Sequence, residues 1–318
     1  MPGTKISFGI HLPTRLLKGG EPEPPTPDLL NRMVDTAKDA GFSSIWVTDH
    51  IVFFDPWLDC MLLLASVAGR AKERDMTIAT GVMGLPLRHP VAMAQSFATL
   101  DILCGGNLIV GVGEGSTKSD FDSLGIPFDQ RRKILNDGIV ALRALLNEKD
   151  VTHKGEFYSF ENVTIAPASI QKPGPPIWIS SWGSPAGMRR VAQLGDGWVA
   201  SALHSTPEEF GEAKGLLTRA LLKANKEHDT FPHAVDTMFM YIDGDGDRAR
   251  AIAGPIIEKS SGSPFDPESG HYLVGNGEDC LRLIARWIDA GAEQVCVWPV
   301  LDPVGQVRKF GEDVISRL

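Results

Sequence analysis

Asp49 and His50 set a carboxylate beside an imidazole just after the apolar run SSIWV, and no other neighbouring pair in the chain is as well suited to acid–base work. An imidazole gives or takes a proton near neutral pH, or hydrogen-bonds a cofactor ring. Residue type alone leaves a plain alternative of equal weight, in which Asp49 holds a loop and His50 is a satisfied core residue. Glu114 and Ser116 alternate with the last of Gly111, Gly113 and Gly115 and can reach the same space. That spacing is G-x-G-x-G before a polar loop, so the G-x-G-x-x-G dinucleotide fingerprint is not met. These glycines suit either a tight turn or a close approach of backbone to a flat ligand. Ser181, Trp182 and Gly183 precede Ser184 and Pro185, a cap and first-turn pair that opens a helix. The free N–H groups of such an end attract phosphate, although an ordinary capped helix has the same signature. His11 lies in the apolar run FGIHL, where packing is at least as good a reading as ligand contact.

Several other motifs carry no chemistry. Asp243-Gly-Asp-Gly-Asp247 opens like a calcium loop, but Arg248 stands where that loop needs glycine and no glutamate closes it. It reads as a turn with a helix cap, and His89-Pro90 reads as a helix start. Zinc-protease, Walker and nucleophile-elbow motifs are absent, and no metal site is expected.

Positioning these residues requires short apolar strands in alternation with amphipathic helices. Strands are expected at 5–12, 43–50, 76–82, 107–113, 176–181, 196–201, 234–242 and 293–299. Helices are expected at 26–41, 57–74, 89–106, 128–147, 185–194, 207–228, 247–261, 278–290 and 303–317. Such alternation implies parallel strands with right-handed crossovers. Eight units in this length describe an α/β fold, a TIM (β/α)8 barrel with insertions, ahead of a doubly wound open sheet. One domain over 1–318 is expected, with insertions near 114–128, 150–175 (a hairpin about Lys154-Gly155, then a Pro/Gly linker) and 260–275. Loops at 14–26, 114–128 and 260–275 are expected to shape a pocket. His11, Asp49-His50, Gly81-Val82, Gly113-Glu114, Ser181–Gly183, Ser201–His204 and Trp298 then fall at the C-terminal strand ends, where barrel active sites collect. Phosphate at the Ser181–Gly183 segment becomes the preferred reading in that setting.

Composition narrows the function classes. The 318 residues hold 31 Lys+Arg and 40 Asp+Glu, a net charge of −9, which argues against a nucleic-acid binder. At 43% hydrophobic and 22% charged residues, the chain can bury a core. No apolar run approaches bilayer length, so no membrane association is expected, and the first residues lack a secretory h-region. Cys60, Cys104, Cys280 and Cys296 form no C-x-x-C pair, which reads as reduced buried thiols in a cytoplasmic protein.

Four segments carry a resemblance that spans nearly the whole chain: FGIHLP, GFSSIWVTDHI, TIATGVMGLPLRHPVAMAQSFATLDILCGGNLIVGVGEG and PPIWISSWGSPAGMRRVAQLGDGW. Together they resemble the luciferase-like flavin monooxygenase superfamily. LPLRHP followed by ATLD is most similar to the branch that uses the deazaflavin coenzyme F-420. The resemblance implies a non-prolyl cis peptide at Gly81-Val82 behind the redox ring, Asp49 and His50 near the reactive face, and Ser181, Trp182 and Gly183 at the cofactor phosphate. In sugar-phosphate dehydrogenase members a glutamate acid follows the strand-4 glycines. Here Ser116 occupies that place, Glu114 lies two residues earlier, and Phe54 replaces a tryptophan near the ring, with Trp57 close behind. These departures argue against that activity.

The expectation is therefore an oxidoreductase that moves a hydride between F-420 and a small organic substrate. Catalytic candidates are His50, Asp49, Glu114 and Ser116. Cofactor candidates are His11, Gly81, Val82, Gly113, Ser181, Trp182 and Gly183. One alternative is an FMN-dependent monooxygenase supplied by a separate flavin reductase. A second is a noncatalytic flavin-binding protein, against which the retained Asp49 and His50 argue. A homodimer is expected from the family, and a flavin or F-420 reductase as a further partner.

Overall fold

A computed structural model describes residues 6–15 and 25–318. Lys5 of the expected first strand and residues 16–24 of the 14–26 loop lie outside them. In chain order the elements are β1 Ser7–His11, α1 Pro27–Asp39, β2 Ser44–Val47, α2 Cys60–Glu73, β3 Thr77–Thr80, β4 Met83–Gly84, α3 Pro90–Leu103 and β5 Leu108–Gly113. There follow α4 Lys118–Leu124, α5 Arg131–Asn147, β6 Val151–Lys154, β7 Ser159–Val163, β8 Ile177–Ser180, α6 Pro185–Leu194, β9 Gly197–Ser201 and α7 Pro207–Lys223. The remainder is β10 His233–Ile242, α8 Gly246–Ser261, β11 Leu273–Gly275, α9 Gly277–Asp289, β12 Gln294–Pro299 and α10 Pro303–Asp313.

Eight strands close on themselves. β1 pairs β2, β2 pairs β3, β3 pairs β5, β5 pairs β8, β8 pairs β9, β9 pairs β10, β10 pairs β12 and β12 returns to β1, all in parallel. This is the expected barrel, and closure removes the open-sheet alternative. Its strands are buried at nearly every position, as a parallel sheet covered by helices requires.

Local chemistry starts the helices where the sequence places caps. Thr26 accepts from Leu29 N, Ser184 from Gly187 N, and His89 Nδ1 from Val91 N. Asp245 accepts from Asp247 N and Arg248 N, so the DGDGD run is a capped turn. Thr206–Glu209 and Asn276–Asp279 are reciprocal capping boxes.

Some boundaries differ from expectation. α2 starts at Cys60 under an Asp59 cap, not at 57, because Trp57 bridges to Arg15 instead. The third strand stops at Thr80 and resumes as β4 after a cis Gly81–Val82 peptide, the bond the resemblance implies. The 114–128 insertion holds α4, and the 260–275 insertion supplies β11, which pairs in parallel with the end of β10. β6 and β7 form the expected antiparallel hairpin, with the turn at 155–158.

Gly111 shows how tightly the barrel closes. A Cβ there would overlap the backbone carbonyl oxygen of Thr80, whose hydroxyl also donates to Gly111 O at 2.7 Å. Backbone lies on both sides, so no side chain can yield. Gly111→Ala therefore costs about 3 kcal/mol or more, read as a lowered urea midpoint or lost soluble protein. Gly244→Ala, with open space around it, is the neutral control.

Candidate functional site

His50 follows β2 at the barrel mouth. Its ring lies 4.2 Å from that of Phe53 and 4.6 Å from that of Trp57, centroid to centroid. Trp57 is thus the tryptophan against His50, while Phe54 is largely exposed. His50 Nδ1 donates to Asp120 Oδ2 at 2.8 Å, and Nε2 has no hydrogen-bond partner among the described residues. Asp120 belongs to α4 and is 2% exposed. Its Oδ1 accepts from Ile51 N at 2.9 Å and Val52 N at 2.6 Å. Burial works to raise the Asp120 pKa, but the bonds from His50, Val52 and Ile51 outweigh it and hold the carboxyl below the usual range. A histidine with an ionised orienter on one nitrogen and an open second nitrogen is the arrangement of a general acid–base.

Asp49 is not part of that pair. Its side chain is 1% exposed and takes two N–H bonds from Arg88, at 2.5 and 2.8 Å. It also accepts from Gly84 N at 3.1 Å and from the Cys60 thiol at 3.3 Å. Burial, and then the Asp49 charge, push the Cys60 thiol well up. These Asp49 contacts tie β4 and the turn after it to the start of α2, so the structure gives it a buttressing position.

Glu114, after β5, meets three guanidinium groups: Arg132 at 3.1 Å, Arg190 at 3.5 Å and Arg131 at 3.9 Å. Three cations against one carboxylate leave a surplus of two positive charges, half-buried between α5 and α6. Burial lowers the Arg190 pKa, with Glu114 opposing the shift. Ser116 is exposed. The neighbouring helix α6 opens toward the same space. Ser181 is buried, Gly183 has φ +90, and Ser184 caps the helix. Trp182 is 56% exposed and stacks on His204 at 3.8 Å with the planes 6° apart. His204 reaches Ser201 Oγ at 3.1 Å, and burial lowers its pKa, aided by nearby His271.

Between these walls lies the Gly81–Val82 peptide. A Cβ on Gly81 would stand 2.7 Å from Trp46 and 2.9 Å from Asp236, and one on Gly113 would stand 2.8 Å from Val82. Beneath it, His11 Nε2 lies 2.5 Å from Asp236 Oδ1, and the imidazole stacks on Trp298 at 5.0 Å. His11 is fully buried, and its Nδ1 finds no partner among the described residues. A cis Gly–Val peptide at the strand ends, aromatic walls and a cationic patch beside a helix N-terminus fit a flat ring that carries a phosphate.

Sequence reasoning missed three parts of this site. Asp120 is separated from His50 by 70 residues, and its only signal was its place in an expected insertion. Asp236 is the one charged residue in the apolar run AVDTMFMYI, which was visible, but it sits mid-strand at a bulge where Thr237 has φ +61. Arg131, Arg132 and Arg190 lie on two helices that only the fold brings together.

Barrel and mouth together define a luciferase-like flavin or F-420 oxidoreductase. Residues 6–294 match the luciferase-like monooxygenase family, and the chain belongs to that family. It is 30% identical over 256 residues to a 5,10-methylenetetrahydromethanopterin reductase of Archaeoglobus fulgidus, covering 80% of this chain and 72% of that one. It is also 30% identical over 326 residues to an F-420-dependent glucose-6-phosphate dehydrogenase of Beutenbergia cavernae, covering 89% and 90%. A monooxygenase of Streptomyces bottropensis, RslO1, shares the fold with a TM-score of 0.83 at 21% identity over 98% of this chain and 99% of that one. Among the described residues no helix is long and apolar enough to cross a membrane.

Proposed function

We propose that the protein transfers a hydride between coenzyme F-420 and a small organic substrate, with His50 exchanging the accompanying proton. The His50–Asp120 pair carries this reading, because it offers an oriented, open imidazole nitrogen beside the ring seat. The named F-420-dependent relative, similar over 89% of the chain, supports this cofactor. When bound, F-420 supplies the hydride acceptor or donor. Gly81, Val82 and Gly113 back the ring, and His11 lies behind them, holding Asp236. Ser181, Trp182 and Gly183, the α6 N-terminus, Arg131 and Arg190 hold its phosphate. Glu114 aligns the arginines, and Ser116 lies outside the contacts. His50, Phe53 and Trp57 face the substrate.

FMN with a separate flavin reductase is the second reading, supported by the likeness to a monooxygenase. A second copy of the chain fits the outer face of α2, where Leu62 (74% exposed), Ala65, Ser66 and Gly69 form an uncharged stripe at helical spacing.

Titrating the apoprotein with F-420 and with FMN, followed by ring fluorescence, decides between the cofactors. Tighter F-420 binding is expected, and tighter FMN binding selects the monooxygenase reading. Arg190→Ala weakens the preferred cofactor about tenfold, equivalent to about 1.4 kcal/mol, through a lost charge-assisted bond. The same titration at two salt concentrations shows a smaller salt dependence in the variant.

A further inference from the structure

Asp120 divides its two oxygens between two tasks. Oδ1 is occupied by the backbone N–H groups of Ile51 and Val52, which leaves Oδ2 for His50 Nδ1 at 2.8 Å. An ionised carboxylate only accepts, so this contact needs a hydrogen on Nδ1. In the neutral ring the lone pair then sits on Nε2, the nitrogen with no hydrogen-bond partner among the described residues.

We infer that Asp120 is a positioning residue that fixes His50 in the Nδ1–H tautomer and thereby readies Nε2 to take a proton from a substrate hydroxyl. This rests on the proposed acid–base role of His50 and adds a direction to it. In that direction the substrate O–H bond breaks and its proton moves to Nε2. The hydride on the adjacent carbon would leave to the two-electron acceptor that F-420 supplies when bound, so that a C=O bond forms and the substrate loses two electrons. The imidazolium that results sits against the Asp120 carboxylate until it releases the proton to solvent. For the reverse reduction, Nε2 must first gain a proton from solvent.

The division of labour between the oxygens makes Asp120→Asn a selective probe. The amide oxygen keeps the place of Oδ1, because the Ile51 and Val52 N–H groups still need an acceptor. The amide nitrogen then faces His50 Nδ1 and donates to it, which moves the ring hydrogen to Nε2. The loop keeps its anchors while the tautomer reverses.

Full-length protein labelled with ¹⁵N-histidine tests this, with the His50 ring nitrogens assigned by their loss in His50→Gln. The expected wild-type spectrum shows Nδ1 protonated and Nε2 unprotonated, and Asp120→Asn shows the reverse. Alcohol oxidation in Asp120→Asn falls at least about 10²-fold in kcat, with F-420 affinity retained. Wild-type protein with the hydrogen on Nε2, an unchanged tautomer in the variant, or an unchanged kcat overturns the inference. The cofactor titration fails separately: a wild-type protein with the expected tautomer that binds neither F-420 nor FMN refutes the functional reading and leaves the tautomer assignment standing.

Discussion

His50→Ala lowers kcat about 10²–10⁴-fold, the usual contribution of a positioned acid–base group. The side chain is only partly exposed and packs on Phe53 and Trp57, so its removal also loosens the aromatic wall. That packing loss raises substrate KM modestly, whereas loss of the proton route appears in kcat. Cofactor affinity changes by no more than about threefold, because the ring seat at Gly81–Val82 and the arginines near Glu114 are separate from the imidazole. Steady-state kinetics together with a fluorescence titration of the same preparation separate these effects. A variant with full turnover removes His50 from the mechanism.

The largest effect on stability is expected at a residue with no assigned chemistry. Arg88→Met destabilises the protein by about 3–5 kcal/mol, the cost of leaving a buried charge unpaired. Asp49 loses both guanidinium bonds and retains only Gly84 N and the Cys60 thiol. Neither can balance a carboxylate whose side chain is 1% exposed. Asp49→Asn is milder, since the stranded guanidinium has 14% of its side chain exposed and can move toward water. The double variant Asp49→Asn/Arg88→Met recovers part of the loss, because no unpaired charge remains. Urea unfolding of the three variants measures the coupling, and an additive double variant contradicts the account.

The barrel was legible in the sequence because its signals are local. Strand–helix rhythm, caps at Thr26 and Ser184, and the Asp243–Asp247 turn each depend on a few neighbouring residues. The places of His50 after β2 and of the α6 N-terminus after β8 were legible for the same reason. The Asp49–His50 pairing misled because adjacency along an extended chain sends consecutive side chains to opposite sides. One joined the Arg88 network behind the mouth, and the other turned to Asp120. The true partner of His50 lies 70 positions away, and Asp236 meets His11 across 225 positions. Contacts of that range are set by barrel closure, and spacing along the chain carries no trace of them. Glu114 illustrates the same limit: as a residue type it reads as an acid, while its three arginine neighbours make it a counter-ion.

The carboxylate that steers His50 rides on α4, inside an insertion, and not on the eight strands. The residue that holds His50 and the strands that build the barrel therefore belong to different segments of the chain. On the proposed role of His50, altering α4 at Asp120 alone, with Glu114 and the buried Phe121 kept, would change the imidazole's setting and leave the strands in place, which makes this helix a handle for re-engineering the site.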